Sequence, residues 1–322
     1  MLKIICIIPT KCADTSLPLL NRCLKSLHAS AKLANVIIKP ILVSDFKDHK
    51  RSDIKERYSE FNYVGEQKGF AKVNNMMIKK TINQKFDYYL IINDDAWIDK
   101  NFFKNAKELI NKQHPDVVVP LIYERVGKKI DSFGIEYFKS GYAKNSRLLS
   151  TETQLGAMAC LLVSKQIMQK MKESYGMYLN EILFSYFDDV EFSIRARGLM
   201  AKYVKNKSMI AHHYGSYSYG KKSLKVMYLS YRNLIWVILM TWPLKNICKH
   251  LFSILFVQSW TIYYGSKRNG LTLYIKYLWE TLVNIKEIMA IRKRVISNYD
   301  KRFDFETTLS KVAFRTYHNM TL

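Results

Sequence analysis

The sequence predicts an α/β protein in which helices cover both faces of a mostly parallel sheet. Short apolar segments alternate with amphipathic segments of about 10 to 15 residues, as strands and helices do in such folds. Two apolar segments end in acidic residues, at Asp45 and at the triplet 93–95. Ligands bind beyond the carboxyl ends of parallel strands, so these carboxylates mark a candidate site.

The first 125 residues supply the predicted elements in alternating order. Apolar runs rich in Val and Ile predict the strands, and apolar residues spaced three or four apart, such as Leu20, Leu24 and Leu27, predict the helices. The strands are expected at 3–9, 36–45, 88–94 and 116–123, and the helices at 19–34, 53–58, 69–83 and 101–113.

The charge of the chain favours an anionic partner. The 322 residues include 51 Lys and Arg against 27 Asp and Glu, which gives a net charge of +24. No acidic residue lies between Glu191 and Glu280, an interval that holds fourteen Lys and Arg. A nucleic acid, a phosphorylated ligand and an acidic membrane surface all fit this balance.

The five cysteines and the N-terminus indicate a cytoplasmic protein. The cysteines (Cys6, Cys12, Cys23, Cys160 and Cys248) form no CxxC pair, so neither a zinc site nor a disulfide framework is expected. The segment MLKIICIIPTKC has no signal-peptide cleavage pattern and predicts a buried strand.

After residue 215 the composition becomes aromatic, apolar and basic, which predicts a helical region. We expect a catalytic domain over 1–218 and a helical region over 219–322. The apolar runs Leu234–Trp242 and Leu251–Tyr264 fall short of the roughly 20 residues that a spanning helix needs. They fit helices lying in the plane of a membrane surface, or a helical domain packed on the core, and both can hold together.

Two groups of carboxylates are candidates for chemistry. One is Asp94 and Asp95, in the triplet Asn93-Asp94-Asp95. The other is Asp188, Asp189 and Glu191, at the start of a predicted helix. Adjacent carboxylates repel one another unless a cation such as Mg²⁺ or Mn²⁺ compensates. A carboxylate of the second group could take a proton from an incoming hydroxyl. Each group by itself also fits a turn or a helix cap.

Taken in order, these motifs resemble glycosyltransferase family 2, in particular its inverting, rhamnosyltransferase-like branch. The resemblance covers about residues 3–235. It depends on the segments IICIIPT, LNRCLKSL, ILVSD, QKGFAKVNN, IINDDAWI, DSFGIEYFKSGYA, LGAMACLLVSKQIM, YFDDVEFSIRARG, AHHYGS and YLSYRN. It implies a GT-A, Rossmann-like fold with a divalent cation, Mn²⁺ or Mg²⁺, as cofactor.

The resemblance also implies a role for particular residues. Asp189 is expected to be the catalytic base, and Asp95 and His212 are expected to bind the metal. Asp45 is expected to contact the base of the nucleotide, and Asp94 to face the ribose or the donor sugar. The nucleotide-binding set is Thr10, Asp45, Gly69, Phe70, Lys72, Asn75 and Asp94. The acceptor side is expected to include Gly156, Asp188 and Arg195.

The chain departs from the family pattern at five positions. Gln67 stands in place of Asn, Val73 of Gly, Asn93 of Asp, Asp188 of Glu and Phe192 of Leu. None of these changes removes a group that the chemistry requires, but the identity of the donor is left open.

The resemblance therefore predicts a metal-dependent, inverting glycosyltransferase that acts at the inner face of the cell membrane. Its donor would be a UDP- or dTDP-linked sugar, and its acceptor a glycan or lipid-linked hydroxyl in cell-surface polysaccharide synthesis. One alternative is a nucleotidyltransferase, although the glycine- and arginine-rich loop expected after its first strand is missing. The other is a nucleic-acid-binding protein, for which no recognised binding pattern is present, so we expect no nucleic-acid partner.

Overall fold

The computed structural model describes residues 1–10, 16–45, 60–65, 68–125, 129–149, 155–215, 224–266 and 270–311. The helix expected at 53–58, together with Cys12 and Gln67, lies outside these ranges. So does the expected domain boundary near residue 218.

The strands form a nine-stranded sheet and a separate pair. They are β1 (Lys3–Pro9), β2 (Ile37–Ser44), β3 (Phe61–Tyr63), β4 (Tyr88–Ile92), β5 (Ala96–Ile98), β6 (Val117–Glu124), β7 (Ile130–Ser132), β8 (Ile135–Tyr137), β9 (Ala143–Asn145), β10 (Cys160–Ser164) and β11 (Tyr203–His213). The main sheet has the order β3-β2-β1-β4-β10-β6-β11-β5, with β7 paired to β6, and β8 pairs with β9.

The helices within the described ranges connect these strands or follow them. They are α1 (Leu17–Ala34), α2 (Phe70–Thr81), α3 (Phe102–Gln113), α4 (Lys165–Tyr175), α5 (Asp188–Gly198), α6 (Leu224–Thr241), α7 (Leu244–Ser266), α8 (Gly270–Val283) and α9 (Ile285–Ser297). Strands β3, β2, β1 and β4 are parallel, as expected, whereas β10 enters antiparallel between β4 and β6.

Helices pack on both faces of the sheet, which confirms the predicted fold class. Successive side chains of a strand point to opposite faces. On β1, Ile4, Cys6 and Ile8 lie in the core formed with α1 and α3. Ile5 and Ile7 lie in the core formed with α2, α4 and α5.

The C-terminal helices share one of these cores. Trp236 and Val237 of α6, Ile254 of α7 and Ile291 of α9 belong to the same buried cluster as Ile5. Helices α6, α7 and α9 therefore pack on the body of the protein. Among the described residues, no helix is both long enough and apolar enough to cross a membrane.

Candidate active site

The acidic triplet follows β4 at the carboxyl edge of the parallel strands. Strand β4 is buried throughout, and the chain turns sharply into β5 after the triplet. Asp94 is buried and accepts a hydrogen bond of 2.7 Å from the Oγ1 of Thr10, the residue after β1. The amide of Asn93 donates to the carbonyl of Ala159, just before β10. Thr10 and the triplet are thus brought together at one edge of the sheet.

Asp95 lies beside His213 of β11. Its Nε2 is 3.2 Å from Oδ1 of Asp95, and its Nδ1 is 2.9 Å from Oδ2 of Asp131. Burial alone would lower the pKa of His213, but the hydrogen bonds to Asp131 and Asp95 and the two negative charges raise it to about 9. The metal-free site therefore favours an imidazolium between two carboxylates, and a cation bound to Nε2 would displace the proton on that nitrogen.

His212, the expected metal ligand, has other neighbours. Its ring stacks on Trp97 at 5.3 Å, and its Nε2 lies 2.9 Å from Oδ1 of Asp99. Adjacent residues of a strand point to opposite faces, so only one of the pair can reach Asp95. Of the two histidines, His213 lies beside Asp95 and His212 lies beside Asp99. We expected His212 from the sequence, although two neighbouring histidines in a sequence do not show which of them faces Asp95.

The pair formed by Asp95 and His213 has the spacing of two ligands on one cation. Two donor atoms about 2.1 Å from an octahedral metal, at right angles to each other, lie about 3 Å apart. The observed 3.2 Å agrees with that distance. Within the described ranges, no group of three or more His, Cys, Asp or Glu side chains could hold a metal. A cation bound by these two residues would take its other ligands from a phosphate group or water.

The start of α2 approaches the same edge of the sheet. Gly69 has a φ of 78°, and its amide donates to Oδ2 of Asp45 at 2.9 Å. The amide of Phe70 donates to Oγ of Ser185 at 3.1 Å. A Cβ on Gly69 would lie 2.4 Å from the carbonyl oxygen of Phe184, so glycine is required there. Asp45, Gly69 and Phe70 thus lie close together at this edge of the sheet.

Two other residues of the expected nucleotide-binding set face the segment 179–181. Asn75 is almost fully buried, and its amide exchanges hydrogen bonds with the backbone of Leu179 and donates to Oε1 of Glu181 at 2.9 Å. Lys72 lies 3.8 Å from the carboxylate of Glu181. Asn75 therefore links α2 to the segment 179–181, which precedes the motif containing Asp189. Its side chain is buried in these contacts and is not exposed to a ligand.

Three residues before α5 have left-handed backbone conformations. Phe184, Tyr186 and Phe187 have φ values of 67°, 70° and 64°, which are costly for residues other than glycine. The side-chain amide of Asn233 holds this segment, because its Nδ2 lies 2.8–2.9 Å from the carbonyl oxygens of residues 183, 185 and 186. Strain of this kind is frequent at active sites. The motif YLSYRN contained Asn233, but its sequence gave no sign of this contact.

The two adjacent carboxylates at the start of α5 have different surroundings. Asp189 is partly exposed and accepts hydrogen bonds from the amides of Val190, at 2.9 Å, and Met158. Burial nevertheless raises its pKa to about 6. Asp188 is buried, and burial together with the charge of Asp189 holds its pKa well above the usual range. Because Met158 is next to Ala159, which binds the acidic triplet, residues 158–159 connect the two acidic groups.

Arg195 and Gly156, expected on the acceptor side, are packing residues. Arg195 has no exposed surface, and its guanidinium forms a bidentate ion pair of 2.7 and 2.8 Å with Glu191. The expectation that Arg195 faces an acceptor does not fit this burial. The amide of Gly156 donates to Oγ of Ser193, and a Cβ there would lie 2.4 Å from Leu161.

Comparison with known proteins gives structural neighbours only. No protein-family model matches the sequence, and no curated protein matches it. The structure of S. aureus TarS has a TM-score of 0.56 and 19% identity, and the match covers 95% of this chain and 55% of that one. GalNAc-T7 with UDP, GalNAc and Mn²⁺ has a TM-score of 0.57 and 14% identity, covering 76% of this chain and 49% of that one.

S. aureus TarS 1-349 in complex with UDP-GlcNAc has a TM-score of 0.52 and 16% identity, covering 99% of this chain and 92% of that one. The chain spans about half the length of the first and second of these neighbours. At these identities the likeness establishes the architecture. It confirms the resemblance drawn from the motifs at the level of the fold: the chain has the GT-A fold of glycosyltransferases.

Proposed function

We propose that this protein transfers a sugar from a nucleotide-diphosphate donor to a hydroxyl group of an acceptor. The observation that carries the proposal is the assembly of both acidic groups at one edge of a GT-A sheet, connected through residues 158–159. Structures of the same fold hold UDP, UDP-GlcNAc or UDP with Mn²⁺. Of the two expected donor classes, UDP-linked and dTDP-linked sugars, these neighbours favour the UDP-linked sugars.

Asp95 and His213 are the residues that would hold a divalent cation. Such a cation neutralises charge that develops on a leaving diphosphate. Asp131 keeps the imidazole of His213 turned towards Asp95, as a carboxylate commonly does for a metal-bound histidine. The hydrogen bond from Thr10 likewise orients Asp94, which would face the donor. Asp45, Gly69 and Phe70 form the remaining donor wall, next to the strained segment before α5.

Asp189 is the proposed general base. It takes the proton of the acceptor hydroxyl while that oxygen forms a bond to the anomeric carbon. The bond from that carbon to the diphosphate oxygen breaks, and attack from the opposite face inverts the configuration. A pKa of about 6 suits this task, because the group is ionised at neutral pH yet basic enough to accept a proton. Asp188 is buried beside it, and burial together with the charge of Asp189 raises the pKa of Asp188 well above its usual range.

The proposed acceptor is a glycan or a lipid-linked oligosaccharide, in cell-surface polysaccharide synthesis. The basic interval between Glu191 and Glu280 would favour a position beside an anionic surface, such as the inner face of the cell membrane. A deoxyhexose such as rhamnose is the proposed donor sugar, on the resemblance of the motifs alone.

A donor panel tests this proposal. UDP-, dTDP- and GDP-sugars are compared by thermal shift and by donor hydrolysis, with and without Mn²⁺. We expect at least one UDP- or dTDP-sugar to raise the melting temperature, and Mn²⁺ to increase the shift in the wild type but not in Asp95→Asn. If none of the donors has any effect with or without Mn²⁺, the proposal is wrong.

A further inference from the structure

Helices α7 and α8 expose large apolar side chains to solvent. On α7 the most exposed aromatic residue is Phe252, at 79%, and Leu255 and Phe256 lie next to it on the helix surface. On α8, Trp279 is 66% exposed, between Ile275 at 59% and Leu282 at 65%. We call these six residues the apolar face.

Both helices also carry buried side chains that attach them to their neighbours. Ile254 and Val257 of α7 are buried, as is Tyr277 of α8. The hydroxyl of Tyr277 donates to Oε1 of Gln258 at 2.9 Å, which joins the two helices. The six residues of the apolar face recur at intervals of three or four along each helix, so three of them form a stripe on α7 and three form a stripe on α8.

The six side chains together expose a large apolar area. Its side chains are 40–79% exposed. Large apolar side chains bury about 150–250 Å² each, so the face presents on the order of 700 Å². The largest apolar patch of a typical monomer is about 300–600 Å² and is often functional.

The charges around the face select the partner. No acidic residue lies between Glu191 and Glu280 in the sequence. Glu280 is paired with Arg232 at 3.1 Å, and Glu306, which contacts the start of α7, is paired with Lys249 at 3.2 Å. Lys245 and Lys276 are exposed on the same two helices. With a net charge of +24, two copies of the chain repel each other, whereas an anionic surface attracts the chain.

We propose that the apolar face docks on an anionic lipid bilayer with α7 and α8 in the plane of the membrane. Phe252, Trp279 and their apolar neighbours enter the headgroup region, and Lys245 and Lys276 contact lipid phosphates. The inference deepens the membrane contact in the proposed function by assigning it to a surface. It is tested separately from that function, because lipid binding needs neither donor nor acceptor.

The test is co-sedimentation of the full chain with vesicles of phosphatidylcholine, alone or mixed with phosphatidylglycerol. We expect binding to the mixed vesicles that weakens in high salt. The double variant Phe252→Ser/Trp279→Ser should lower the partition coefficient by roughly tenfold or more. A matched control is Leu33→Ser/Ile37→Ser, which removes residues 58% and 46% exposed on α1 and β2. That control should bind as the wild type does.

Three results would overturn the inference. The first is equal binding by the wild type and the Phe252→Ser/Trp279→Ser variant, with both folded by circular dichroism. The second is equal binding to neutral and mixed vesicles. The third is a lipid-free dimer that the same double variant dissociates in sedimentation velocity, because the face would then be an interface between copies. Retained UDP-sugar thermal shifts in the variant would show that donor binding is unaffected.

Discussion

Asn233 holds the segment before the proposed base, and its replacement by Asp tests this directly. One NH₂ group with two hydrogens serves three carbonyl oxygens at 2.8–2.9 Å, and Asn233 is fully buried. Asn233→Asp keeps the shape of the side chain and replaces the donor by an acceptor. The new oxygen would face three carbonyl oxygens without any hydrogen between them.

The expected change in the free energy of unfolding follows from the hydrogen bonds that are lost and from the backbone strain that they maintain. Leaving two buried hydrogen bonds unmade costs about 1–3 kcal/mol each. Phe184, Tyr186 and Phe187 have strained, positive φ values, and any relaxation of this segment offsets part of that cost. We therefore expect Asn233→Asp to lower the free energy of unfolding by about 2–5 kcal/mol, and Asn233→Ala by less, because alanine adds no repulsion.

The assay is urea unfolding followed by tryptophan fluorescence, together with sugar transfer at a saturating donor concentration. The control is Asn298→Asp, an exposed amide that donates to the carbonyl of Arg294 at 2.8 Å. There we expect a loss below about 1 kcal/mol. If Asn233→Asp were as stable and active as the wild type, or no worse than the control, the role given to Asn233 would be refuted.

Three further predictions concern the surroundings of the site. Gly69→Ala should lower stability by more than about 2 kcal/mol in urea unfolding, because its Cβ meets a carbonyl oxygen at 2.4 Å. Gly215→Ala has nearly the same φ, 77°, but no atom of the described residues lies within 4 Å of its Cβ position, so a loss as large there would contradict the argument. Asp131→Asn should weaken Mn²⁺ binding about 10- to 100-fold in a titration followed by electron paramagnetic resonance, since the imidazole of His213 loses its orienting carboxylate; unchanged affinity would refute this. The transfer rate should fall about tenfold per pH unit below about pH 6, because Asp189 must be ionised to act as a base and burial has raised its pKa. A rate that stays constant down to pH 5 would argue against that assignment.

The fold was predictable because each local pattern agreed with the whole. Apolar runs matched the buried strands, and the helix spacing matched α1, α2 and α3 to within two residues at either end. The antiparallel entry of β10 was not expected. β10 has five consecutive buried residues, a pattern that is compatible with either strand direction. Its direction is seen only in the structure, from its antiparallel pairing with Ile92 and Val118.

The site was predictable in its residue types but not in all its contacts. Neighbouring histidines on a strand face opposite ways, and pairing with β5 is what turns His213 to Asp95. The left-handed segment 184–187 contains no glycine that would have marked it. Glu191 and Arg195, four residues apart on a helix, carried a sequence signal for an ion pair, and the structure buries that pair completely.

The central claim is that Asp189, rather than its neighbour, takes the acceptor proton. The most direct measurement is the rate of sugar transfer by Asp189→Asn and Asp188→Asn, with UDP-sugar binding followed by thermal shift in both. We predict that Asp189→Asn loses transfer by about a thousandfold and keeps donor binding. Asp188→Asn should retain most of its activity, because burial and the charge of Asp189 favour the neutral form of Asp188, which asparagine resembles. Turnover by Asp189→Asn near the wild-type rate, or its loss in Asp188→Asn alone, would contradict the account.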